Sequence, residues 1–187
     1  MSRNIHLHYR AFMTSSQIVP DTKDWTWVLE RRCPDCSFEA GALAGGAIPA
    51  LVRGYAARWQ QVLRRPDVAR RPGAGVWSPL EYACHVRDVC RVFAARLELM
   101  LTQDDPEFEN WDQDATAVAE RYHEQDVATV AEELRAAAES VAAGFGAVAG
   151  DQWARTGRRS NGSHFTVETL GQYFAHDLAH HLWDVRG

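Results

Sequence analysis

The chain has 187 residues, 46% of them hydrophobic and 24% charged, with a formal net charge of −5. This is the balance of an ordinary globular domain with a proper core. The acidic sign argues against a nucleic-acid partner, and no apolar run reaches the roughly 18 residues that a membrane span needs.

Residues 1–24 are polar and aperiodic and are expected to form an N-terminal extension, with residues 25–187 as the folded domain. The first residues contain no continuous apolar core of the kind a secretory signal requires, so a cytoplasmic location is expected. Met13, followed by Thr14, Ser15 and Ser16, is an alternative start. The four cysteines lack a framework spacing and read as reduced thiols. The stretch "DWTWVLERRCPDCSFEA" is expected to be an ordered lead-in, because Trp25, Trp27 and Phe38 are costly to leave in water.

Apolar residues then recur at helical spacing from about Gly41 to Arg65. Pro49 inside this run demands a late start, with the proline in the first turn, or a kink. Two prolines and two glycines break the pattern in "RRPDVARRPGAGVW". "SPLE" at 78–81 is a capping box: Ser78 as N-cap, Pro79 at the first helical position, Glu81 reaching back. Tyr82, Val86, Val89, Phe93, Leu97 and Met100 form the core stripe of this second helix, which fades near Asp104. "EFENWDQDATAVAERYHEQD" reads as a polar linker with at most a helical turn. A third helix is expected from about Val127 to Val148. Asn161-Gly162 suits a two-residue turn between arms at 153–156 and 164–167. A last helix runs from about Thr166 to Val185. The expected fold class is all-α: a four-helix bundle with a short hairpin before the last helix.

Three of the eight histidines lie within "HDLAHH" of that last helix. His176 and His180 are spaced i, i+4, which puts both imidazoles on one face within reach of one ion. The alternative is a polar helix face that happens to hold histidines. At about 100° per residue, His181 instead falls on the apolar stripe of Leu170, Phe174, Leu178, Leu182 and Val185. Either the helix is buried on two sides, as Tyr173 and Trp183 flanking the first pair suggest, or Asp177 and His181, also i, i+4, are the ligand pair. A third ligand must come from another helix. His85, one turn into the second helix, is the candidate, with Asp88 as a carboxylate to orient it; the plain alternative is a hydrogen-bonded core histidine. A CxxC such as "CPDC" at 33–36 can be a redox pair or half a zinc site, but no second CxxC exists to complete a zinc ribbon and no βαβ pattern surrounds it as in a thioredoxin-like pair, so both are weaker readings than an ordered lead-in.

"WSPLEYACHVRD" followed by "YFAHDLAHHLWDV" resembles the DinB/YfiT-like superfamily of four-helix metalloproteins, over about residues 40–187. It is similar also to the actinobacterial branch linked to mycothiol-dependent chemistry. Such proteins carry one histidine early in the second helix and an i, i+4 pair on the fourth. Carried over residue by residue, the implied ligands are His85, His176 and His180. Many relatives have their double histidine at the third and fourth positions after the first; here His180 and His181 stand at the fourth and fifth. The resemblance implies one divalent metal, with zinc suited to nitrogen ligands and nickel or iron taking added waters. It also implies a low-molecular-weight thiol as co-substrate, activated for transfer to, or isomerisation of, a small electrophile. No catalytic residue is assigned. Arg87 and Arg155, with Arg158 and Arg159, are candidate donors to the thiol, and Tyr173 and Trp183 are candidate wall residues. Two alternatives remain: a metal-dependent hydrolase using the same site, and a non-catalytic bundle, a stress-induced binding protein that forms a homodimer through its helix faces.

Overall fold

The computed structural model describes residues 18–20 and 23–187. Met13, His6 and His8 lie outside the described residues.

Four long helices make the body: α1 (Ile48–Val62), α2 (Pro79–Thr102), α4 (Val127–Gly146) and α5 (Val167–Asp184), with a short α3 (Gln113–Ala119) between α2 and α4. Each start has a local cause. Pro49 occupies the first turn of α1, so that helix begins at Ile48, and residues 40–47 form two 3-10 turns instead. Ser78 accepts from the Glu81 amide and Glu81 accepts from the Ser78 amide, the expected capping box. Asp126 and Thr166 cap α4 and α5 with their side chains.

The long helices touch in the ring α1–α4–α2–α5. Consecutive α1 and α2 therefore face each other across the bundle diagonal. Trp59, Leu134, Phe145, Phe174, Leu178 and Leu182 fill the centre, each at most 1% exposed. Gly171 lets this core close: a Cβ there would stand 2.4 Å from Ile48 Cδ1 and 2.9 Å from the Phe145 ring.

The hairpin is present, as β2 (Thr156–Arg159) and β3 (His164–Thr166), with Gly162 at φ +95° in its turn. Its arms lie later than expected on the first side, because Trp153 sits in a 3-10 turn. A third strand, β1 (Glu107–Phe108), pairs parallel with β2 in the order β1-β2-β3. The stretch expected to be a polar linker is thus built structure, with β1, α3 and a 3-10 turn at Tyr122–Glu124. The lead-in is ordered, as its aromatic content required: Val28 and Cys33 are fully buried, and the segment packs on α5. No helix among the described residues is long and apolar enough to cross a membrane.

Candidate metal centres

α5 is buried on two sides, and each side carries its own cluster of potential ligands. His85 of α2 stands with Asp177 and His181. His176 and His180 stand with Cys33 and Cys36. In each cluster the donor atoms lie within 4.8 Å of one another. The structure therefore does not gather His85, His176 and His180 at one point. It groups His85 with the other i, i+4 pair, because a one-residue step turns the helix by about 100° and, of the four candidate ligands on α5, Asp177 and His181 are the two that meet His85.

In the first cluster, Asp177 Oδ1 lies 3.7 Å from His85 Nε2 and 3.6 Å from His181 Nε2. These gaps are too long for hydrogen bonds. Two donors about 2.0–2.1 Å from a tetrahedral ion stand roughly 3.4 Å apart, so an ion fits with shifts of a few tenths of an ångström. His85 Nε2 and Asp177 Oδ1 are buried without a hydrogen-bond partner, a costly state unless something fills the gap. His181 is held from behind: its Nδ1 lies 2.8 Å from Asp184 Oδ2, which leaves Nε2 toward the cluster. His85 has no such brace, and its Nδ1 is also unpartnered. Its ring is instead stacked on Trp111 (5.4 Å, 11° between planes) and packed against Trp77. The Trp111 indole is fixed in turn by a 2.8 Å bond to Thr116 of α3.

Protonation suits metal binding. Burial pushes the His85 imidazole down, against the pull of Asp177. Burial pushes the Asp177 carboxyl up, but His181, His85 and His176 outweigh it and bring it down to about 2. His85 is thus held neutral and Asp177 ionised, the forms that bind a cation.

A cavity of about 900 Å³ opens onto this cluster, and His176 and His180 of the second cluster line it as well. Asp177 and His181 stand in its wall with Trp77, Tyr82, Trp111 and Tyr173. Arg159 lines it too; the guanidinium lies over the Tyr173 and Phe165 rings and donates to Asn161 and Ser163. Trp183 sits at the rim, 51% exposed.

Three other anticipated residues work elsewhere. Arg87 is buried and bonded to Asp88, Gln125 and Glu133, tying α2 to α4. Asp88 accepts from Arg87, Arg91 and Tyr122 rather than from His85. Arg155 donates to the Met100 and Gln103 carbonyls and so closes the end of α2. Asp184, Trp77 and Trp111 were missed in the sequence. The i, i+3 step from His181 to Asp184 was a usable signal; the tryptophans, far off in sequence, gave none.

In the second cluster, Cys33 Sγ lies 3.7 Å from His180 Nδ1, and His176 Nε2 is buried without a partner. Burial, and then the proximity of His180, push the His176 imidazole down to about 4. The Trp25 ring lies over both histidines, at 5.6 and 4.9 Å.

A four-helix bundle with clustered imidazole, carboxylate and thiol donors inside is the class of protein these observations define. The sequence pattern of the DinB superfamily matches residues 50–185, and the chain belongs to that superfamily. YfiT from Bacillus subtilis, described as "a probable metal-dependent hydrolase with an unusual four-helix bundle topology", shares 18% identity with it at a TM-score of 0.67, over 74% of this chain and 82% of YfiT. That likeness shows the fold. Among curated proteins, none matches the chain.

Proposed function

We propose that the protein is a metal-dependent enzyme whose divalent ion is held by His85, Asp177 and His181 beside the aromatic cavity. The observation that carries this reading is the pair of buried, unpartnered atoms, His85 Nε2 and Asp177 Oδ1, in a set of two imidazoles and a carboxylate next to a cavity of about 900 Å³. Three protein donors leave a coordination position for a reactant. An ion bound there supplies Lewis acidity, lowering the pKa of a water or thiol brought to it.

The protein's own groups do the rest. Asp184 fixes the tautomer and orientation of His181. Trp77 and Trp111 hold the His85 ring and keep water from it. Arg159, whose partners are neutral oxygens, offers charge to a carboxylate of the reactant inside the cavity.

The reactant is a low-molecular-weight thiol of the mycothiol type, and the reaction is S-transfer to, or isomerisation of, a small electrophile. The size of the cavity supports this, since it has room for a thiol and a second molecule. Hydrolysis is the second reading, favoured by the carboxylate in the donor set, which suits a harder, oxygen-binding ion; the printed description of YfiT agrees with it.

Metal analysis of protein purified without chelator tests the centre, beside His85→Ala and Asp177→Asn variants. Loss of one equivalent of metal in both variants supports it, and an unchanged metal content overturns it. Activity screened on electrophilic substrates with and without added thiol separates the readings. Turnover only with thiol supports transfer, and turnover without it supports hydrolysis.

A further inference from the structure

The "CPDC" stretch and the pair His176/His180 play no part in the centre just described, yet they meet. Cys33 is fully buried, His176 is 3% exposed, and the His180 side chain is 12% exposed. We propose that Cys33, Cys36, His176 and His180 form a second metal site, a structural zinc site that fastens the lead-in to α5.

The donor set is the first argument. Two cysteines spaced CxxC and two histidines spaced i, i+4 make a Cys2His2 set, which closes the tetrahedron zinc prefers and leaves no open position. The two halves come from elements about 140 residues apart in sequence, so local chain geometry does not explain their meeting.

Distance is the second. With zinc–sulfur at about 2.3 Å and zinc–nitrogen at about 2.0–2.1 Å, a sulfur and a nitrogen on one tetrahedral ion stand roughly 3.6 Å apart. Cys33 Sγ and His180 Nδ1 are 3.7 Å apart. All four donors fall within 4.8 Å of one another.

The third argument is the state of the groups without an ion. His176 Nε2 is buried and bonded to nothing, which costs stability unless an ion takes it. A disulfide between Cys33 and Cys36 would leave that atom as it is and would have no use for two converging imidazoles. The loop is already shaped as a clamp: Cys33 donates its amide to Phe38 O, Ser37 donates its amide back to Cys33 O, and Ser37 takes φ 63° to close the turn.

The consequence is local. Binding releases the two thiol protons to solvent and leaves two thiolates and two neutral imidazoles on the ion. Trp25 packs on His176 and His180 and forms part of the cavity wall. The ion would thus hold that wall in place while taking no part in the reaction.

The test uses the full chain loaded with zinc alone. The His85→Ala variant isolates this site from the other. It is expected to retain one equivalent of zinc, and X-ray absorption at the zinc edge should show two sulfur and two nitrogen neighbours. Cobalt put in its place should give a thiolate-to-metal charge-transfer band in the near ultraviolet. Cys33→Ser in the His85→Ala background should lose that equivalent. Should the serine variant fail to fold, the wild type still decides: a thiol-blocking mercurial should release one zinc per chain as two thiols react. Zinc in His85→Ala with no sulfur neighbour, or Cys33 and Cys36 recovered as a disulfide from zinc-loaded protein, overturns the site. So does a zinc-loaded His85→Ala protein that carries no metal. None of these outcomes touches the His85 centre, which stands or falls on what His85→Ala loses relative to wild type.

Discussion

The two faces of α5 make an instructive pair. One face turns Asp177 and His181 toward α2, a long helix held by a capping box and a close-packed core. The other turns His176 and His180 toward residues 25–47, a lead-in of 3-10 turns with little regular structure. The first cluster has three donors and the second four, the latter packed against Trp25; the cavity is lined from both, by Asp177 and His181 and by His176 and His180. A site that does chemistry needs an open position on a rigid frame, whereas a site that stabilises needs a full donor set and a segment worth fastening. Segments with few regular hydrogen bonds gain most from such a staple.

Substitutions can break or sharpen this contrast. The largest effect is expected from His181→Ala. It should remove the metal of the open cluster and lower activity by about a thousandfold or more, since an ion of this kind supplies several kcal/mol of transition-state stabilisation. Metal content and steady-state rates measure it; near-normal rates would dissolve the contrast. Asp184→Asn comes next. Asp184 braces His181 at 2.8 Å and lies 3.9 Å from His180 Nε2. Loss of such a brace costs about 10–100-fold in metal affinity. A chelator competition should show the loss at the His181 centre, with the cysteine-containing site little changed.

Gly41→Ala probes the lead-in. A Cβ there would stand 2.3 Å from the Leu29 carbonyl oxygen, which is backbone and cannot step aside. Destabilisation of about 1–3 kcal/mol is expected, read in a denaturant melt. Faster proteolysis within residues 25–47 than in the bundle would show that the two halves of the contrast differ in stability.

The smallest effect concerns the start of α2, which carries His85. Burial pushes the Glu81 carboxyl up, but bonds from Arg71 and Ser78 outweigh it and hold the group below the usual carboxylate range. A group whose pKa is lowered on folding contributes stability above its unfolded pKa and loses it as the pH falls through the folded value. Acid should therefore remove about 1–2 kcal/mol as Glu81 protonates. Glu81→Gln should lose a similar amount at neutral pH and flatten this part of the stability profile. A wild-type profile identical to that of the variant would show that the Arg71 pairing contributes nothing.

Much of the frame was legible in the sequence. Ser78, Pro79 and Glu81 marked the start of α2 to the residue, because a capping box is a local device with a local signature. Pro49 announced the late start of α1 for the same reason. The stripe from Leu170 to Leu182 is the buried face of α5, as its period required. The linker was misjudged because its polarity hides one decisive residue: Trp111 lies among charged neighbours and finds its role only against His85 of another helix.

The ligands mark the boundary between what sequence and structure decide. "HDLAHHLWD" contains two overlapping i, i+4 pairs, and its spacing alone fixes that each pair shares a face. It also fixes that the two faces lie about 100° apart. Which face meets His85, and what meets the other, depends on the rotation of α5 about its axis. That rotation is set by the packing of Leu178 and Leu182 into a core built from helices distant in sequence. The partnership of "CPDC" with His176 and His180 joins residues about 140 positions apart, and no pattern within either stretch encodes it. Local spacing determined the two pairs of donors; only the packed tertiary structure, where long-range apolar burial fixes helix rotation, decided which residues each pair meets.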